Sequence, residues 1–245
     1  MRYPNITEAI FQSRPNRFIA MVEINGKTEK VHVKNTGRCR ELLLPGAKVY
    51  LVHSDNPERK TAYDLVGVYK EGLGLVNMDS QAPNRVVGEW LLAQKPGLPQ
   101  EEGKRMKPVS LIRPEYTWGR SRIDFYFEQD GKKCLMEVKG VTLEREGIAY
   151  FPDAPTQRGV KHIQELEAAL KDGFDCYLAF VIQMPGILQI RPNDETHPEF
   201  GQALRQAVRA GVQVLALGCR MEKDSLEIVR VRRCSIYDFE KTGER

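Results

Sequence analysis

Short alternations of hydrophobic and polar residues fill the first third of the chain, and longer helical periods follow. From Arg17 to about Asn77 the runs RFIAMVEI, EKVHVKN, AKVYLVHS, AYDLVGVYK and GLGLVNM read as five short strands separated by Gly, Asn and Asp turns. Five such strands build a small barrel. The five-stranded OB barrel fits, as do an SH3-like barrel and a small open sheet. In SQAPNRVVGEWLLAQ the period changes, because Val86, Trp90 and Leu91 fall at helical spacing, and KPGLPQEEGKR ends that helix with Pro and Gly. The pattern divides an OB-like domain over residues 1–82 from a second domain over residues 83–245.

The second domain reads as strand, strand, helix, strand, helix, strand, strand. Its helices are TQRGVKHIQELEAALKDG and PEFGQALRQAVRAG, each closed by a Gly, and CYLAFVI and VQVLALGC are apolar enough for burial on both faces. The imperfect alternation of SLEIVRVRRCSIYDF supplies an edge strand. The expectation is a mixed α/β sheet behind an N-terminal barrel, with no internal repeat.

Composition adds bounds rather than direction. With 245 residues, 41% of them hydrophobic, the chain can bury a sizeable core and hold two modest domains. Its net charge is only +4, so attraction to an anion must come from local clustering. Cys39, Cys134, Cys176, Cys219 and Cys234 form no CxxC and are odd in number, which reads as buried, reduced thiols. No window approaches the run of about 18 apolar residues that a membrane helix needs, and the start lacks a signal-peptide core. A cytoplasmic, non-membrane location is the expectation.

Candidate chemistry enters with SRIDFYFEQDGKKCLMEVKG. Asp130-Gly131 is a two-residue hairpin signal, and if it forms the turn, Gln129 pairs with Lys132 and the register brings Asp124 opposite Glu137. Alternation then puts Ile123, Phe125 and Phe127 on one face with Met136 and Val138, and Asp124 on the other with Glu137 and Lys139. Carboxylates facing each other at about 5 Å repel unless something neutralises them. A hard divalent cation does so, and a pair of oxygen ligands with open positions suits Mg²⁺ or Mn²⁺ better than Zn²⁺. Asp124 and Glu137 are thus candidate metal ligands, with Lys139 placed to orient a water or steady a phosphate. The same spacing fits an ordinary half-exposed hairpin on which Lys139 neutralises one carboxylate.

The order acid, hairpin, Glu-x-Lys, helix, strand resembles the PD-(D/E)XK nuclease superfamily. NTGRCRELLLPG, SRIDFYF, MEVKGVTL and FPDAPTQRGVKHIQEL, in that order, resemble the sugar fermentation stimulation protein A family across nearly the whole chain. The resemblance implies an N-terminal OB fold, a C-terminal restriction-endonuclease-like α/β domain, and a DNA-binding role connected with sugar (maltose) utilisation genes. It assigns Asp124, Glu137 and Lys139 to the motif's acid, second acid and lysine. Many superfamily members take a further acid from the preceding helix, for which Glu89 is the candidate, with Glu115 as an unranked rival.

In FPDAPTQRGVKHIQEL, a helix starting near Thr156 buries Val160, Ile163, Leu166 and Leu170, while Arg158, His162 and Glu165 share another face. Thr156 is a cap candidate, and Arg158 at that helix end is placed to approach a phosphate. His162 is expected to pair structurally with Glu165 and ranks behind Arg158. On the barrel, Asn35, Arg38 and Arg40, with Arg59, Lys60 and Tyr63, suit a nucleic-acid backbone with stacked bases, although Arg38 and Glu41 also fit a simple ion pair. Two functions follow: a Mg²⁺- or Mn²⁺-dependent nuclease acting on DNA with little sequence preference, or a non-enzymatic DNA-binding regulator on the same scaffold. No dedicated motif supports an enzyme acting on sugars.

Overall fold

The barrel closes through a strand that the alternation does not announce. In the computed structural model, which describes residues 1–35, 37–97, 103 and 106–240, β1 (Ile6–Asn16) fully buries only Ala9 and Phe11. It nevertheless pairs antiparallel with both β2 (Ile19–Ile24) and β4 (Lys48–His53). β2 pairs with β3 (Lys27–Val33), β4 pairs with β5 (Tyr63–Lys70), and parallel pairs His32↔Asp64 and Val33↔Leu65 join β3 to β5. Those five strands form a closed OB-type ring around Val22, Val31, Val49, Leu51 and Leu65, none of them accessible. GLGLVNM, expected as the fifth barrel strand, is instead β6 (Gly74–Asn77), which extends the sheet beyond β5. The ring is complete without it.

β6 leads into α1 (Ala82–Ala93), whose Val86, Val87, Trp90 and Leu91 are buried. The loop expected after this helix lies partly outside the described residues. The rest of the chain builds a second six-stranded sheet. β7 (Val109–Trp118), β8 (Ser121–Gln129) and β9 (Lys132–Val141) form an antiparallel meander. β10 (Leu143–Arg145) and β11 (Ile148–Phe151) make a small hairpin, followed by α2 (Gln157–Lys171) and β12 (Asp175–Ile182). β13 (Ile190–Pro192) adds to β11, α3 (Pro198–Ala210) packs on α2, and β14 (Gln213–Glu222) and β15 (Ser225–Cys234) complete the sheet. The order across this sheet is β15-β14-β12-β9-β8-β7, in which the central β9, β12 and β14 run parallel and β15 lies antiparallel at the edge.

β7 contains Pro114, which an edge strand tolerates because one side of its ladder is unused. α1 covers one face of the sheet with Phe125, Phe127, Met136 and Val138. The opposite face, under α2, forms one continuous apolar cluster with the barrel interior. A buried polar network also joins the domains. Gln183 Nε2 donates to Asn77 Oδ1 (2.7 Å) and to Asp79 O (3.1 Å), Asn77 Nδ2 donates to Tyr3 Oη (2.8 Å), and Asp79 is paired with Lys34 (3.0 Å).

The hairpin register is the expected one from Gln129↔Lys132 to Phe125↔Met136. Asp130 and Gly131 both adopt positive φ, as the tight turn requires. Ile123 departs from the expectation. It packs with Tyr126 and Leu135 on the α2 side, not with Phe125 and Phe127. The β8–β9 ladder stops at Phe125↔Met136, and beyond it the Asp124 carboxylate, rather than a main-chain carbonyl, accepts from Val138 N–H, so strict alternation is released there.

Candidate active site

Strand pairing places Glu137 at the centre of the sheet, opposite Leu178 of β12, where it is inaccessible. A carboxylate in that position needs partners. Its Oε2 lies 3.0 Å from Lys139 Nζ and 2.5 Å from His162 Nδ1. Its Oε1 is buried with no hydrogen-bond partner. His162 Nε2 accepts from Arg158 Nε at 3.2 Å, which leaves Nδ1 to donate to Glu137. Asp124 sits beside this group, its Oδ2 accepting from Val138 N–H (2.8 Å) and its Oδ1 from Asn84 Nδ2 (2.7 Å).

The two carboxylates titrate apart. Burial, followed by the nearby charge of Glu137, raises the Asp124 pKa above the ordinary aspartate value despite the opposing Val138, Lys139 and Asn84 contacts. Burial also pushes Glu137 upward, but the hydrogen bond from His162 and the charge of Lys139 together outweigh it and leave Glu137 below its ordinary value. Glu137 is the firmly ionised member. Among the described residues, no group of three or more His, Cys, Asp and Glu side chains is arranged to hold a metal.

Helix phase decides which α1 residue reaches Asp124. Asn84 does so, and five positions later Glu89 is rotated by about 140° around the axis. Glu89 is consequently ion-paired with the Met1 ammonium at 2.6 Å, beside a cleft that also contains Trp90, Arg220 and Leu226. Glu115, on edge strand β7, is exposed and pairs with Arg122. The structure brings neither expected acid to Asp124. Thr156 caps α2, its Oγ1 accepting from Gly159 N–H at 3.0 Å. Glu165 bonds Ser121 Oγ and Lys161 Nζ instead of His162. His162 therefore belongs to the centre of the site, with the exposed Arg158 behind it, reversing their expected rank.

On the barrel, Arg38 and Arg40 are exposed, while Asn35 is half-buried with its Oδ1 accepting from Gly37 N–H at 2.8 Å. Arg14, unsuspected in the sequence, donates to the carbonyls of Arg17 (2.8 Å), Asn35 (2.7 Å), Gly37 (2.9 Å) and Arg38 (2.7 Å). Arg38 N–H in turn donates to Asp153 Oδ2 at 3.1 Å, shortly before α2. A Cβ at Gly37 would lie 2.2 Å from that oxygen, so only glycine allows the approach. The second basic segment is largely engaged within the barrel. Arg59 is bidentate on Asp64 (3.0 and 2.6 Å), the Tyr63 ring lies edge-on to His53 at 5.2 Å, and Lys60 alone of the three is exposed.

Residues 13–78 match the family model described as the SfsA N-terminal OB domain, and residues 81–225 match that of the Sugar fermentation stimulation protein RE domain. This chain belongs to the sugar fermentation stimulation protein family. The SfsA family assignment rests also on full-length likeness. Homologues from Clostridium beijerinckii and Desulfitobacterium hafniense (strain Y51) are 51% and 54% identical over 93% of this chain, covering 96% and 95% of those proteins. A solved structure of Pyrococcus furiosus SfsA in complex with Ca²⁺ matches with a TM-score of 0.78 at 28% identity, covering 96% of each chain. As in the sequence reading, the SfsA-family chain keeps its five cysteines buried and unbridged, with burial raising each thiol to about 12. Among the described residues, no helix is long and apolar enough to cross a membrane.

Proposed function

We propose that this protein is a divalent-metal-dependent nuclease of the PD-(D/E)XK type that binds cytoplasmic DNA and hydrolyses its phosphodiester bonds. The observation that carries the reading is Glu137 Oε1, a buried carboxylate oxygen without a hydrogen-bond partner, beside a second carboxylate whose ionisation is opposed by burial and by Glu137 itself. An orphaned anionic oxygen is costly, and a cation relieves both penalties. Asp124 and Glu137 fit Mg²⁺ or Mn²⁺, which bind through one or two carboxylates and complete their shell with waters and phosphate oxygens. The Ca²⁺ complex of the Pyrococcus furiosus relative supports an oxygen-ligated divalent ion in this family.

When bound, the ion supplies charge for the phosphate and a water of lowered pKa. The chain's own residues do the rest. Glu137 stays ionised because His162 and Lys139 hold one of its oxygens. Asn84 and the Val138 N–H fix the Asp124 carboxylate without occupying all of its lone pairs. Lys139, half-buried, is the cation placed to meet a phosphate oxygen, and Arg158, Arg38, Arg40 and Lys60 offer exposed charge to the DNA backbone.

A second reading, a DNA-binding regulator without catalysis, is favoured by the hydrogen bonds that already tie Glu137, Lys139 and His162 together. The deciding experiment incubates purified protein with single- and double-stranded DNA and Mn²⁺. Fragments should appear, and Lys139→Ala should abolish them while binding persists. Cleavage that continues unchanged in Lys139→Ala refutes the assignment, and DNA binding without cleavage of any substrate selects the regulator.

A further inference from the structure

The barrel carries an aromatic residue that neither the sequence patches nor the active site uses. Phe18, at the turn between β1 and β2, is 44% exposed, and the Arg17 guanidinium lies 4.8 Å from its ring centroid. Single exposed apolar residues are ordinary. Phe18 differs in how firmly it is presented. Asn16 Oδ1 accepts from the N–H groups of Phe18 (2.9 Å) and Ile19 (3.1 Å), Val33 N–H donates to Phe18 O (2.8 Å), and Arg14 holds the Arg17 carbonyl at 2.8 Å. Through Arg14 the same turn is joined to the loop bearing exposed Arg38 and Arg40, and that loop is joined through Asp153 to the segment entering α2. The aromatic turn is thus tied to the loop bearing exposed Arg38 and Arg40, and Asn35 and Gly37 of that loop line a small cavity with Gly140, the neighbour of Lys139.

We infer that Phe18 is a stacking platform for an unpaired base, and that the substrate class is single-stranded DNA or a frayed end. This rests on the DNA-cleaving reading above. The cations meet the phosphates of either form, but inside a duplex both faces of a base are covered by its neighbours, so only an unpaired base offers a face to the ring. Arg17 polarises the ring and supplies a cation for the adjacent phosphate.

The test measures binding of wild type and Phe18→Ala to fluorescent thymidylate oligonucleotide, to the same backbone made abasic, and to a blunt duplex, with Ca²⁺ as the ion. Phe18→Ala should lose about tenfold in affinity for the thymidylate strand, within the range of one base–aromatic stack, and much less for the duplex. Phe18→Trp should restore the loss and Phe18→Leu should not. Wild type should bind the abasic strand as weakly as Phe18→Ala binds the thymidylate. Tyr237→Ala, at an exposed aromatic of the C-terminal region, is the control expected to change nothing. Equal binding of thymidylate and abasic strands by wild type, or undiminished affinity in Phe18→Ala, overturns the inference while leaving DNA binding intact. Failure of wild type to bind any of the three removes the DNA reading and this inference with it.

Discussion

Asp124→Asn should act in opposite directions with and without metal. In chelator, the substitution removes a half-buried charge beside Glu137 and keeps a carbonyl to accept from Val138 N–H, while Asn84 turns its amide to accept from the new NH₂. The folded-state pKa of Asp124 is raised, so the favourable contribution of its protonated form is complete below the unfolded value and is lost as pH rises through the folded one. At neutral pH the variant should therefore melt no lower than wild type. Well below the ordinary aspartate value of about 3.9, where wild-type Asp124 is protonated in both states, the difference should vanish. With ion at about a hundred times its Kd, wild type gains about 2.7 kcal/mol. For a chain of this size that is about 5–11 °C in Tm, at about 2–4 °C per kcal/mol. The variant should gain almost none of it. Differential scanning calorimetry in EDTA, Mg²⁺ and Mn²⁺ reads both effects. A variant that melts well below wild type in EDTA, or that keeps the metal-induced rise, refutes the argument that Asp124 is an electrostatic burden relieved by a cation.

Two further substitutions probe the supports of the site. Gly140→Ala would place a Cβ 2.4 Å from Gln183 Oε1 and 2.7 Å from Pro83 Cγ. It should cost about 1–3 kcal/mol in thermal melts and, by displacing the start of α1 that carries Asn84, blunt the response to Mn²⁺. Arg14→Met removes four carbonyl contacts at once and should cost about 2 kcal/mol. The loop around Gly37 should become cleavable in limited proteolysis, and DNA affinity should fall with it.

How much of this was legible depends on whether the deciding contact is local. The turn chemistry of Asp130-Gly131 is local, and the register from Gln129 to Phe125 followed from it. β2 to β5 were readable because each alternates around Val and Leu. β1 was not, since ITEAIFQSRPN offers only Ala9 and Phe11 to the core and owes its place to pairing on both sides. β7 was hidden by its proline, and β10, β11 and β13 are too short to show a period. Within the site, Asp124, Glu137 and Lys139 could be named from one hairpin and a resemblance. The replacement of Glu89 by Asn84 beside Asp124, and of Glu165 by Glu137 as the partner of His162, turns on the rotation of each helix about its axis, which an amphipathic pattern defines only coarsely. The Arg38–Asp153 contact spans 115 positions and leaves no local trace.

The buried chain of side chains from Tyr3 through Asn77 and Asp79 to Gln183 has a consequence for modularity. Gln183 belongs to the α/β domain, yet its carboxamide finds acceptors in the barrel's Asn77 and in Asp79 just beyond it. Separating the units would strand several amide and carboxylate groups and expose the apolar cluster shared between the barrel and α2. The two halves are therefore poor candidates for exchange with barrels or sheets from other proteins. The domain border is a division of architecture, while the two units should melt as one.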